Sequence, residues 1–186
     1  PIDDPTFNSA VSDSNSVEHP AYYYDGGADA DNDSHDMPTK SSNEVLPDGN
    51  TSWSIFGLVN INSFGTDNVI IEYDDIVISA RDGGWIVGTG LFSNLGFAGT
   101  TTTNLWTTFG LIYDSVSSEV NFYANGGSSS IASTSGSFSV NISNFVIGEE
   151  VTKSRRPFDG YVAEVIVSQT NESGTAYDNY HTDRIA

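Results

Sequence analysis

The chain of 186 residues carries 25 Asp and Glu against 6 Lys and Arg, a formal charge of -19, and no cysteine. That length supports one generous core rather than two domains, and the charge repels nucleic-acid phosphates and anionic headgroups, so neither nucleic acid nor a membrane is an expected partner. Without cysteine there are no disulfides, thiolate nucleophiles or thiolate zinc sites, leaving cross-bracing to the core or to an oxygen-ligated cation. Residues 1–50 hold eleven of the acidic residues and one base, Lys40, and their scattered apolar positions predict an irregular, loop-rich acidic arm. Tyr22, Tyr23 and Tyr24 predict that the arm lies on a surface, its own or a neighbour's, since adjacent aromatics bury large areas. Asp25, Asp29, Asp31, Asp33 and Asp36 have the oxygen spacing of loops that wrap a hard cation, and calcium is the natural candidate. The run lacks the glycine and the closing glutamate of an EF-hand, and a solvated acidic loop accounts for it equally well.

From Trp53 onward the signals are those of β-strands, expected near 53–61, 69–80, 84–88, 105–113, 119–125, 138–148 and 158–168. Their separators, such as Asp82-Gly83-Gly84, Asp114-Ser115 and Asn125-Gly126-Gly127, have turn chemistry, and Asn125-Gly126 fits a turn needing positive φ. Strands every ten or so residues favour an antiparallel β-sandwich, assigned to residues 51–186, over a parallel α/β sheet. Alternation places Phe109, Leu111 and Tyr113 on one face, and likewise Val120, Phe122 and Ala124. Asn121 and Tyr123 then line an exposed opposite face. In the last strand the odd positions Tyr161, Ala163, Val165 and Val167 are expected in the inter-sheet core, with Val162, Glu164 and Ile166 pointing away. A short helix closes the chain within 173–186.

The order of these segments carries a resemblance. Trp106 opens a strand ending in Tyr113-Asp114; Phe122, Tyr123, Asn125 and Gly126 follow; then Ile147-Gly148; then Phe158, Gly160, Val162 and Glu164. This series resembles concanavalin A-like, laminin G-type jelly-roll domains over residues ~51–170, with Trp53 to Ile61 as an early core strand. The resemblance implies a jelly roll that presents ligands to its rim, and so recognition rather than catalysis. Its matching residues identify architecture, not activity.

Several constellations bear on chemistry. Lys153, Arg155 and Arg156 concentrate half of all the bases in one loop, suited to clamping a carboxylate or sulfate, or to pairing with an acidic neighbour. Trp85 and the tyrosine cluster suit stacking on pyranose faces, although Ile86 and Val87 beside Trp85 read as a buried strand. Glu149, Glu150 and Asp159 form a second, weaker oxygen cluster. Glu72 and Asp74 resemble part of the carboxylate strand of jelly-roll glycoside hydrolases, but a third carboxylate is missing. No Gly-x-Ser-x-Gly elbow occurs, and His19, His35 and His181 lie in no recognisable triad pattern. Asn32, Asn50, Asn141 and Asn171 head glycosylation sequons, which matter only in a glycosylating host. The expected protein is thus a non-catalytic recognition or adhesion module at a cell or virion surface or outside the cell, glycan-binding and calcium-assisted. The alternative is a virion decoration or appendage subunit, self-associating or joined to neighbours through its arm.

Overall fold

The computed structural model describes residues 6–13, 15–25, 35–37, 51–64, 68–73, 76–81, 83–89, 97–135, 145–148 and 158–185. The first strands are β1 (Thr6–Ser12), β2 (Glu18–Asp25), β3 (His35–Met37), β4 (Trp53–Ile61), β5 (Asn68–Tyr73), β6 (Ile76–Arg81) and β7 (Gly84–Thr89). They are followed by β8 (Phe97–Thr100), β9 (Trp106–Asp114), β10 (Glu119–Ala124), β11 (Ala132–Ser135), β12 (Phe145–Ile147), β13 (Asp159–Ser168) and the helix α1 (Gly174–Ile185). Among the described residues the strands form a seven-stranded sheet, β1-β2-β13-β4-β9-β10-β11, and a six-stranded sheet, β3-β12-β5-β6-β7-β8. Neighbouring strands run antiparallel, as short segments joined by tight turns allow.

The inter-sheet core follows the two-residue period. On β4 the odd residues Trp53, Ile55, Val59 and Ile61 face inward, joined by Phe109, Leu111 and Tyr113 of β9 and by Val120, Phe122 and Ala124 of β10. The six-stranded sheet answers with Ile71, Ile76, Ile78, Trp85 and Val87. Full burial of side chains this large stabilises by about 1.5–3 kcal/mol each.

β4 is buried along its whole length, so its even residues are covered as well. The cover is α1 together with the β1–β2 hairpin. Phe56, Ile112, Tyr123, Tyr177 and Tyr180 form one outer cluster, and Val11, Ala21, Leu58 and Trp106 form another, with Tyr161 and Ile185 against it. Trp106 ties the hairpin down: its indole Nε1 donates to the Val11 carbonyl at 3.1 Å, and its backbone N–H donates to Asp13 Oδ2.

Four expectations change here. The reading of residues 1–50 as loop-rich meets three strands, β1, β2 and the short β3, with β2 paired along β13 from Asp25↔Asp159 to Tyr22↔Val162. Their apolar residues, Val11, Ala21 and Tyr24, are buried individually rather than in a run, which hid the strand signal. The expected strand over 69–80 is a hairpin, with Tyr73 paired to Ile76. Short β8 and β11, Phe-Ala-Gly-Thr and Ala-Ser-Thr-Ser, have too little apolar patterning to be foreseen. Finally, the alternation predicted for β13 holds only in its second half. Register jumps from Val162↔Val59 to Glu164↔Leu58, so Ala163 is a bulge that reverses the phase. Val162 before the bulge and Val165 and Val167 after it pack on the core, while Tyr161 and Ala163 pack on the outer cluster. Residues 138–144 of another expected strand lie outside the described residues.

Candidate functional site

A groove of about 470 Å³ opens on the outer face of the seven-stranded sheet, between α1 and the ends of β4 and β13. Its strand side consists of Ser54, Phe56, Ile166 and Ser168, register partners across β4 and β13: Ser54↔Ser168 and Phe56↔Ile166. Its helix side consists of Ala176, Asn179, Tyr180, Asp183 and Arg184, which recur at the three- and four-residue spacing of one helix face. Glu172 closes one end.

The turn before the helix is fastened to the sheet. Ser54 Oγ donates to the Thr170 carbonyl at 2.8 Å and accepts from the Glu172 N–H at 3.0 Å. Glu172 Oε1 accepts from the hydroxyls of Thr170 and Ser168, at 2.5 and 3.4 Å. Ser173 then caps the helix, its Oγ accepting from the Ala176 N–H at 3.1 Å. These contacts hold the Glu172 carboxylate at the groove mouth rather than leaving it to sweep through solvent.

The helix itself is seated by aromatic packing. Tyr180 lies 5.4 Å, ring centre to ring centre, from Phe56, and Tyr177 lies 5.3 Å from Tyr123. Gly110 makes the seat possible, because a Cβ there would come within 2.6 Å of Tyr177 Cδ2. The Tyr177 hydroxyl reaches the Thr108 carbonyl at 3.0 Å and accepts from the Gly126 N–H at 3.3 Å. Burial pushes its pKa up to about 12. Burial, with Glu164 nearby, raises that of Tyr180 further still. Both hydroxyls therefore stay protonated at any physiological pH.

Charge on the groove is mostly negative. The Arg184 guanidinium lies over the Tyr180 ring, 5.4 Å from its centre, and makes a forked pair with Glu164, Nε to Oε2 at 2.8 Å and Nη2 to Oε1 at 3.2 Å. Glu164 holds its charge largely in place. Glu172 and Asp183 face the same space.

The structure redistributes the residues that the sequence singled out. Trp85 is fully buried, its ring 5.6 Å from Phe109 and 5.7 Å from Phe122, so it is a core residue and not a stacking platform. Strand pairing turns it inward, as its apolar neighbours indicated. Tyr123 does lie on the outer face, opposite the core, but α1 covers it to 8% exposure. Strand periodicity alone assigns a face without saying what lies over it. Asn121 is half-buried beside it, outside the groove lining. Asp25, at the exposed end of β2, is the cross-strand neighbour of Asp159, which accepts hydrogen bonds from Asn62 and Ser63. Asp29, Asp31, Asp33, Asp74, Glu149, Glu150, Lys153, Arg155 and Arg156 lie outside the described residues, and of Asp36 only the backbone, in β3, is described. Among the described residues no three metal-ligating side chains converge. Glu72 is buried on β5, between Val77 and Val146.

Two histidines act as clasps for α1. His19 Nε2 donates to the Arg184 carbonyl at 2.8 Å, its ring edge-on to Trp106, and His181 Nδ1 lies 2.7 Å from Thr108 Oγ1. No pattern in the sequence signalled the groove residues Phe56, Ile166, Asn179, Tyr180, Asp183 and Arg184. The one available hint was the pair Tyr177 and Tyr180, three apart in an otherwise polar tail.

Neither a protein-family model nor a curated protein sequence matches the chain. Solved structures do. A protein from Bacteroides ovatus, provisionally described as carbohydrate-binding, superposes with a TM-score of 0.59 at 20% identity, over 70% of this chain and 40% of its own. Trypanosoma rangeli sialidase superposes at 0.63 and 12% identity, over 90% of this chain and 28% of its own. The heptameric SAP-like pentraxin of Limulus polyphemus gives 0.56 at 13% identity, over 80% of this chain and 81% of its own. The fold is an antiparallel β-sandwich of the jelly-roll type. The chain spans less than half the length of the Bacteroides and sialidase proteins, and these likenesses establish the sandwich, not an activity.

Proposed function

We propose that this jelly roll is a non-catalytic carbohydrate-recognition module, displayed outside the cell or on a cell or virion surface, and that the groove beside α1 holds the sugar. The observation that carries the reading is the groove's composition. Ile166, 38% exposed above the largely buried Phe56 and Tyr180, supplies apolar surface for the C–H faces of a pyranose, and Ser168, Asn179, Glu172 and Asp183 supply donors and acceptors for its hydroxyls. Its volume falls in the range of small-ligand pockets. The Bacteroides ovatus neighbour, provisionally described as carbohydrate-binding, supports the same reading.

The test is binding of the intact chain to a broad glycan panel, repeated with Ala176→Trp to fill the groove and with Asn179→Ala. Expected are binding by the native chain without product formation, loss in Ala176→Trp, weakening in Asn179→Ala, and unchanged thermal midpoints. Failure of the native chain across neutral, amino and acidic glycans would sink the proposal, and so would hydrolysis of a bound glycan.

A second reading, a subunit assembled through its first 50 residues, draws on a different observation. β1 is an uncharged edge strand, Thr6–Ser12, and beside it Phe7 and Tyr22 form an exposed aromatic pair 5.2 Å apart. If this edge joins neighbours, Phe7→Glu should reduce the assembled fraction in sedimentation while leaving the monomer folded. A native chain that is monomeric at all concentrations argues against it.

A further inference from the structure

The chemistry of the groove goes beyond binding a sugar to the kind of sugar it admits. This step rests on the carbohydrate reading above. Two carboxylates, Glu172 and Asp183, line the groove, and its single cation among the described residues, Arg184, is already forked onto Glu164, which lies just behind the lining. The turn hydroxyls of Ser168 and Thr170 donate to Glu172 Oε1 and fix the carboxylate in place. A ligand carboxylate or sulfate entering here meets like charge and finds no free guanidinium among the described residues to pair with. A neutral hydroxyl or a protonated amine meets acceptors.

We propose that the groove is a charge-selective subsite that takes neutral or amine-bearing sugars and excludes carboxylated or sulfated ones. This separates the chain from what its sialidase neighbours act on, since sialic acid carries a carboxylate. Two like-charge contacts at a partly solvated surface are worth about a tenfold change in affinity.

The experiment is calorimetric titration of the full chain with three trisaccharides of equal length: a neutral N-acetylhexosamine, its free-amine form and a hexuronate. It is repeated for Glu172→Gln with Asp183→Asn, a pair of substitutions that preserves shape and removes both charges. The native chain should bind the neutral and amine forms at least about tenfold more tightly than the hexuronate. Raising the salt should narrow the gap, and the double variant should close it. A hexuronate bound as tightly as the neutral sugar overturns charge selection while leaving carbohydrate recognition standing. An undiminished gap in the double variant does the same, as does selective binding that survives Ala176→Trp. If no sugar of any charge binds, both proposals fall together.

Discussion

Replacing Gly110 with alanine would put a methyl group where α1 meets the sheet. A Cβ at that position lies 2.6 Å from Tyr177 Cδ2 and 3.2 Å from Phe56 Cδ1, whereas non-bonded carbons settle at about 3.5–4.0 Å. About 1 Å of clearance must therefore come from lifting the helix or turning the rings. Neither ring is free to turn. Tyr177 is wholly buried, with its hydroxyl engaged at Thr108 and Gly126, and Phe56 is held between Tyr177 and Tyr180. Overpacking of this kind costs about 1–3 kcal/mol, and stretching the Tyr177 hydroxyl bonds adds about 1 kcal/mol. The sum, roughly 2–4 kcal/mol, corresponds to a fall in thermal midpoint on the order of 10 °C for a chain of this length. Urea and thermal unfolding measure it directly. The control is the same substitution in a Tyr177→Ala background, where the added methyl has room and should cost less than about 0.5 kcal/mol. An unchanged midpoint for Gly110→Ala, or an equal penalty in both backgrounds, refutes the seating of Tyr177 on Gly110 and with it the placement of the groove's helix wall.

Other outcomes follow from the same contacts. Burial lowers the pKa of His181 below the usual 6.5, against an opposing pull from Asp178. The stability this neutral histidine permits is therefore present above pH 6.5 and lost as the pH falls through its lowered folded value. The native chain should accordingly lose stability relative to His181→Gln between neutral and mildly acidic pH, and parallel pH profiles for the two would contradict this. Trp85→Ala should destabilise by about 3–5 kcal/mol, while the milder Trp85→Phe should leave the glycan affinity unchanged; a selective loss of binding in Trp85→Phe would return Trp85 to the ligand site. The Arg184–Glu164 pair is about a third exposed, so Glu164→Gln should cost no more than about 1 kcal/mol in urea unfolding. Deleting residues 1–25 should do much more, because it strips β2 from β13 and uncovers Trp106; a truncated chain with native circular dichroism and an unchanged midpoint would show the hairpin to be an accessory.

Much of the sandwich was legible before any coordinates. The strand Trp53–Ile61, the strand Trp106–Asp114 and the strand Glu119–Ala124 follow from period-two patterning, and Asn125 and Gly126 adopt the positive φ values, 58° and 82°, that their turn chemistry predicts. These are local properties: each rests on a few adjacent residues and the geometry of one chain segment. Where the expectation failed, the cause was non-local. Trp85 reads as a rim aromatic until its strand is paired, and the odd face of β10 reads as open until α1 is laid over Tyr123.

The amino-acid sequence by itself determined the class of fold and the formal charge of -19. These depend on composition and on alternation along single strands, which survive without knowledge of what neighbours what. Only the tertiary structure decided which face is covered and which is left open. The groove joins Ser54, Phe56, Ile166 and Ser168 to residues of a helix that follows more than a hundred positions after β4 begins. It exists because a bulge at Ala163 sets Glu164 and Ile166 outward and because Gly110 lets Tyr177 bring α1 close. Neither a bulge nor a close approach leaves a periodic mark in the chain, since each is settled by what the partner strand or helix presents across the gap.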